Sequence, residues 1–204
     1  MTIRDEVIAS FEKALATYAA VRRTYYEAVF VVIYDYLDSD KPLTQYKNQM
    51  KQAMINAFIP AAEIGWEDAG AQLPYDDAVA AFLSDATDAE MGYIDALFLS
   101  LKEARKSEDV NKVELATARA VGYANTLDRI YNRVKVMAAG SRMLTFAGED
   151  GEESCSDCQR YKGKRRKASW WIRNDAIPPN RNFECGGYRC QHVLVDDDGQ
   201  VWTL

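Results

Sequence analysis

A chain of 204 residues is long enough for one hydrophobic core, or for one core plus a small satellite that needs its own cross-link, and the second arrangement is expected here. Hydrophobic residues at 48% and charged residues at 27% exclude wholesale disorder. The formal charge of −6 is uneven: residues 1–150 hold 16 basic and 23 acidic side chains, residues 151–204 hold 9 and 8. An acidic body excludes a dedicated duplex-DNA surface and confines any phosphate contact to a local patch.

The segment Met1-Thr2-Ile3-Arg4-Asp5-Glu6 carries acids where a secretion signal would be basic, so no such signal is expected. The most apolar run, Ala28 to Tyr34, is far shorter than the roughly 20 residues a membrane span needs. From Thr2 to about Leu37, Val7, Phe11, Leu15, Tyr18, Val21, Tyr25, Val29 and Ile33 recur three to four apart, which predicts one long helix with Thr2 as its N-cap. Asp38 to Pro42 is turn chemistry and ends it. A second helix is expected from Pro42 or Thr44, carrying Tyr46, Met50, Ala53, Met54 and Ala57, with a break or kink near Pro60 and a further turn or two to Gly70. Tyr18, Tyr25 and Tyr26 are assigned to core or interface rather than to a ligand groove.

Residues 76–83 and, after Ser84 to Thr87, about 88–106 predict a third helical region facing inward through Met91, Ile94, Phe98 and Leu101. A fourth helix over about 110–139 should bury Leu115, Val121, Leu127, Ile130 and Val134 and stop at Gly140. Short connections imply an antiparallel bundle, so the fold class expected is mainly α, with a helical body over 1–140 and a small module over 141–204. Within the module, Arg142 to Phe146 has strand composition, and Gly148 to Glu153 reads as a polar loop. Val193–Val195 and Val201–Thr203 flank Asp196-Asp197-Asp198-Gly199-Gln200, which predicts a β-hairpin.

All four cysteines fall in the module, as Cys155-Ser156-Asp157-Cys158 and Cys185-Gly186-Gly187-Tyr188-Arg189-Cys190, with the single histidine, His192, two residues on. A Cys-x2-Cys pair can present both thiolates from one turn, and structural Zn²⁺ takes four such ligands. Five residues compete for four places: either Cys185 with Cys190, or Cys190 with His192, completes the set begun by Cys155 and Cys158. Two disulfides, a redox-active pair and a catalytic zinc are the rival readings. The redox pair is disfavoured because Asp157, Glu152 and Glu153 should raise a nearby thiol pKa. One histidine also speaks against a nuclease of the HNH type and against a Ser-His-Asp hydrolase.

Between the cysteine pairs, Arg160, Lys162, Lys164, Arg165, Arg166 and Lys167 place six basic residues in a stretch of eight. This segment reads either as a solvated loop offsetting an anionic zinc–thiolate centre or as a contact for phosphates or an acidic partner, with any DNA binding weak and nonspecific. Trp170, Trp171, Phe183, Tyr188 and Trp202 are expected to form a miniature core.

Residues 151–158 with Gly163, then Pro178-Pro179 and Cys185-Gly186-Gly187-Tyr188-Arg189-Cys190-Gln191-His192, follow helical sequence ending near Arg129-Ile130-Tyr131. In this the chain resembles the minor head, or head-morphogenesis, proteins of tailed bacteriophages such as Mu and SPP1, over roughly residues 115–195. It departs from their pattern at Cys190-Gln191-His192, where family members often carry a second cysteine, and in being shorter than many of them. The resemblance implies a low-copy, non-catalytic virion component beside portal or capsid proteins, assisting head assembly or genome handling, and found in the host cytoplasm during assembly. A nuclease-like DNA-processing zinc protein and a zinc-containing adaptor for a host protein are the alternatives.

Overall fold

The computed structural model describes residues 3–148, 155–186 and 192–204, with side chains described from residue 17 onward. Four long helices dominate: α1 (Ile3–Asp38), α2 (Leu43–Asp68), α3 (Asp77–Lys106) and α4 (Lys112–Ala138). They are followed by β1 (Met143–Ala147), α5 (Ser156–Tyr161), β2 (Arg165–Lys167), α6 (Ala168–Arg173) and β3 (Val193–Asp196). No described helix is long and apolar enough to cross a membrane. The expected cap at Thr2, the polar loop over 149–153 and the contribution of Tyr188 to the core lie outside the described residues, as do the side chains of Val7, Phe11 and Leu15.

The chain divides into two compact units, one of Met1–Ala61 with Asp76–Leu127, the other of Ala62–Tyr75 with Asp128–Leu204. The unit that holds the cysteines therefore reaches back beyond residue 141 to take in the ends of α2 and α4.

In the first unit, aromatic side chains on helical spacing seat the helices on one another. Tyr36 of α1 packs edge-on against Tyr46 of α2 and Phe98 of α3, with ring centroids 5.4 and 4.9 Å away. Tyr25 meets Phe58 at 6.3 Å, and Arg22 of α1 donates to Asn125 of α4 at 2.9 Å. Asp76 caps α3 by accepting the Val79 N–H at 3.0 Å. Three expectations fail here. Helix α2 runs through Pro60 without interruption, because the flanking Ala57, Phe58, Ala61 and Ala62 are all buried and tertiary packing offsets the missing hydrogen bond. Helix α3 likewise continues through Ser84-Asp85-Ala86-Thr87, which sit on its outer side or at its margin. Val121 is 44% exposed, since α4 packs through its small residues Ala116, Ala120 and Ala124 instead.

The second unit is built on a three-stranded antiparallel sheet in the order β2-β1-β3. Strand β1 alternates as its period demands, with Leu144 and Phe146 buried. Opposite them in the register lie Asp196 and Leu194 of β3, also buried. The expected hairpin forms with a reduced second arm: only Val201 bridges, to Val195. Beyond it the Thr203 hydroxyl, in place of a main-chain carbonyl, accepts the Leu194 N–H at 2.9 Å. Asp196 organises the turn, accepting from the main-chain N–H groups of Asp198 and Gln200 at 3.0 and 2.9 Å and from the Trp202 indole N–H at 2.9 Å, while Arg142 lies 3.2 Å away. On α4, Tyr131 donates to Asp68 at 2.5 Å, and buried Asn132 both donates to the Pro178 carbonyl and accepts from the Leu204 N–H.

Two predictions follow from this packing. A Cβ at Gly65 of α2 would sit 2.6 Å from the Tyr131 carbonyl oxygen, so Gly65→Ala should destabilise by about 1–3 kcal/mol, the reverse of the usual helix-interior gain; urea denaturation followed by tryptophan fluorescence checks it. Burial pushes the Asp196 carboxyl up, but the Trp202, Gln200 and Asp198 donors and the Arg142 charge outweigh it and hold the group below its usual range. A carboxyl depressed in the folded state stabilises above its unfolded pKa, about 3.9, and that contribution is lost as pH falls through the folded value. Asp196→Asn should therefore lower the urea midpoint at pH 7, by the equivalent of about 1–3 kcal/mol, and flatten its fall below about pH 4.

Candidate metal centre

Cys155 stands at the N-cap of α5, where serine or aspartate usually sits, and its sulfur accepts the Cys158 N–H at 3.4 Å. One turn on, Cys158 is buried among the aromatic residues of the second unit. Cys185 lies in a turn closed by the Gly186 N–H donating to the Phe183 carbonyl at 2.7 Å, and Gly186 takes the positive φ of 62° that a side chain would resist. The three Sγ atoms all lie within 4.8 Å of one another, and none of the three cysteines is in a disulfide. Thiolates about 2.3 Å from a tetrahedral Zn²⁺ stand about 3.8 Å apart, so a small contraction would bring these three to bonding distance of one ion.

Burial opposes ionisation of the Cys155 thiol, yet the N–H and S–H donors of Cys158 and Cys185 together prevail and hold it below its ordinary value. The net direction is opposite to the one expected from the neighbouring acids, because these hydrogen bonds set it. The Asp157 carboxylate accepts the Glu184 N–H at 3.0 Å. Reciprocally, the Ser156 N–H donates to the Glu184 carboxylate at 3.0 Å, which holds that group below the usual carboxylate range. Glu152 and Glu153 lie outside the described residues.

Of the remaining expected ligands, Cys190 also lies outside the described residues. His192 is described, and it does not belong to the three-sulfur group. Its ring is buried and stacked on Phe146 at 5.2 Å, with its Cδ2 so near Gly148 that a Cβ there would approach to 2.7 Å. The miniature core is present and larger than expected: Trp171, Phe183 and Trp202 are buried in it with Val136, Leu144, Phe146, Tyr161, Ile177 and Leu194, while Trp170 lies half-buried at its margin.

The basic stretch is only partly a loop: Lys162 and Lys164 lie in the turn between α5 and β2. Arg160 sits in the last turn of α5, and Arg165 to Lys167 form β2, an edge strand with all three residues exposed. Charge runs at sheet edges discourage unwanted strand pairing, a role that short-range composition does not reveal. Several of these cations are engaged within the chain: Arg165 with Asp197 at 2.8 Å, Arg160 over the Tyr161 ring at 4.5 Å, Lys164 over the same ring at 5.5 Å and Arg166 over Trp170 at 5.7 Å. Two residues escaped the sequence reading, Phe146 as the aromatic centre and Glu184 as the partner of the Cys155 turn. The only sequence signal for the latter is an acid directly preceding Cys185.

No protein-family model, no curated protein and no solved structure matches the chain.

Proposed function

We propose that Cys155, Cys158 and Cys185 are three ligands of a structural Zn²⁺ site, that Cys190 supplies the fourth, and that the protein is a non-catalytic component of a phage head. The convergence of three sulfurs within 4.8 Å, from segments far apart in the chain, carries the metal reading. An all-thiolate set selects a soft or borderline ion and leaves no open position for a substrate, which suits a structural role better than a catalytic one. His192 belongs to the core in this proposal, consistent with its stacking on Phe146. The head role is supported by the resemblance of the cysteine-bearing segments to minor head proteins: a low-copy part at the portal or inner capsid would need a compact, ion-stapled end rather than an active site.

Zinc bound to small domains contributes on the order of 10–16 kcal/mol, so the site should matter to the second unit even though that unit has a core of its own. Protein purified without chelator should contain about one zinc per chain by elemental analysis. Cys158→Ser should lose the metal and red-shift tryptophan emission through Trp170, Trp171 and Trp202 while far-UV helicity is largely kept. His192→Ala should retain zinc; loss of zinc in that variant, with retention in Cys190→Ser, would reverse the assignment of the fourth ligand. For the head role, mass spectrometry of purified particles should detect the protein at low copy, and its confinement to host cytosol with none in particles would overturn that role.

A further inference from the structure

We infer that Asp157 and Glu184 are positioning residues for the cysteine cluster, each holding the opposite cysteine-bearing segment by a main-chain N–H so that Cys185 stands beside Cys155 and Cys158 before an ion arrives; their importance to metal binding rests on the zinc proposal above.

The two hydrogen bonds are reciprocal. Glu184, adjacent to Cys185, accepts from Ser156, adjacent to Cys155, at 3.0 Å. Asp157, adjacent to Cys158, accepts from the N–H of Glu184 itself at 3.0 Å. Each acid is thus both next to a ligand and bonded to the backbone next to a ligand on the other segment. One such bond would leave a pivot, whereas two running in opposite directions fix separation and orientation together. The partners are 27 and 28 residues apart in the chain, so holding them together carries the entropy of closing a long loop, which the ion would otherwise have to meet alone.

Charge supplies no competing explanation for these acids. A thiolate centre is anionic, and carboxylates placed beside it repel the thiolate form of the ligands. What carboxylates offer here is acceptor capacity: ionised oxygens make the stronger bonds to main-chain donors. The Cys155 and Cys185 side chains pack at the margin of the aromatic core, so the clasp has a firm base on one side and solvent on the other. Partners bonded to the ligand groups themselves typically alter metal affinity by about 10–100-fold when removed, and these two act one step further out, on the backbone beside the ligands, so the lower end of that range applies.

The experiment compares Asp157→Ala, Glu184→Ala and the double variant with Asp157→Asn and Glu184→Gln, whose amide oxygens still accept an N–H. Zinc affinity is measured by competition with a chromogenic chelator in the full chain. The alanine variants should bind about tenfold or more weakly, the double variant little worse than either single one, and the amide variants within about threefold of the parent. A purely electrostatic effect would make alanine and amide variants alike, and tighter than the parent. A second measurement needs no metal. In a Cys158→Ser, Cys190→Ser background, the Cys155–Cys185 disulfide is equilibrated with oxidised glutathione, which takes up the two electrons and leaves as two thiols. The alanine variants should lower the fraction closed about tenfold at a given redox poise. Absence of zinc from the parent would sink the zinc proposal, while the disulfide equilibrium would still test the clasp. Alanine variants equal to the parent in that equilibrium would overturn the positioning role.

Discussion

Phe146 at the centre of strand β1 is the contact on which the cysteine-bearing unit depends. Its ring lies within 6.5 Å, centroid to centroid, of Tyr161, Trp171, Phe183 and His192, which come from four different segments. Tyr161 ends the helix that begins after Cys155, and Phe183 stands two residues before Cys185, so one aromatic side chain seats both halves of the sulfur cluster. Its backbone works in the same direction, donating to Lys164 and accepting from Gly163 at 3.0 and 2.9 Å, which fixes the turn between α5 and β2. Aromatic contacts of this kind add direction to burial, and direction is what places three sulfurs at one point.

Around that anchor, polar contacts are arranged by a simple economy of donors and acceptors. Trp171 gives its indole N–H to the Leu144 carbonyl, and Trp202 gives its own to Asp196, so both buried indoles are satisfied. Asp196 and the pair Asp157 and Glu184 serve alike as acceptors for main-chain N–H groups in turns. Other acids of this unit meet side chains instead, Asp68 with Tyr131, Asp175 with Arg133 and Asp197 with Arg165, and Arg166 of β2 lies over the Trp170 ring.

The helical unit follows a different rule. Its aromatics, Tyr25, Tyr36, Tyr46, Phe58 and Phe98, are large side chains that interlock at helix contacts, and α4 answers with alanines that let a neighbour approach. Such packing carries α2 past a proline, which interrupts an isolated helix, and α3 past Ser84-Asp85-Ala86-Thr87, in which all but the alanine have low helix propensity.

The sequence by itself determined the four helices, the Cys-x2-Cys turn, the central strand and the Asp-Gly turn, because each rests on a short-range property: apolar period, capping chemistry, strand composition or a residue that tolerates positive φ. It also assigned Tyr18 and Tyr25 to the interior, where both are buried. Tertiary structure alone decided the continuity of α2 and α3, the exposure of Val121, the placing of Arg165 to Lys167 in an edge strand, and the three-sulfur convergence with its Asp157–Glu184 clasp. Each of these depends on what another segment, tens of residues away, presents at close range. A proline is tolerated where burial offsets its lost bond, a charge lies where a strand edge meets water, and a carboxylate finds the N–H that the fold brings to it. Spacing along the chain encodes none of those distances.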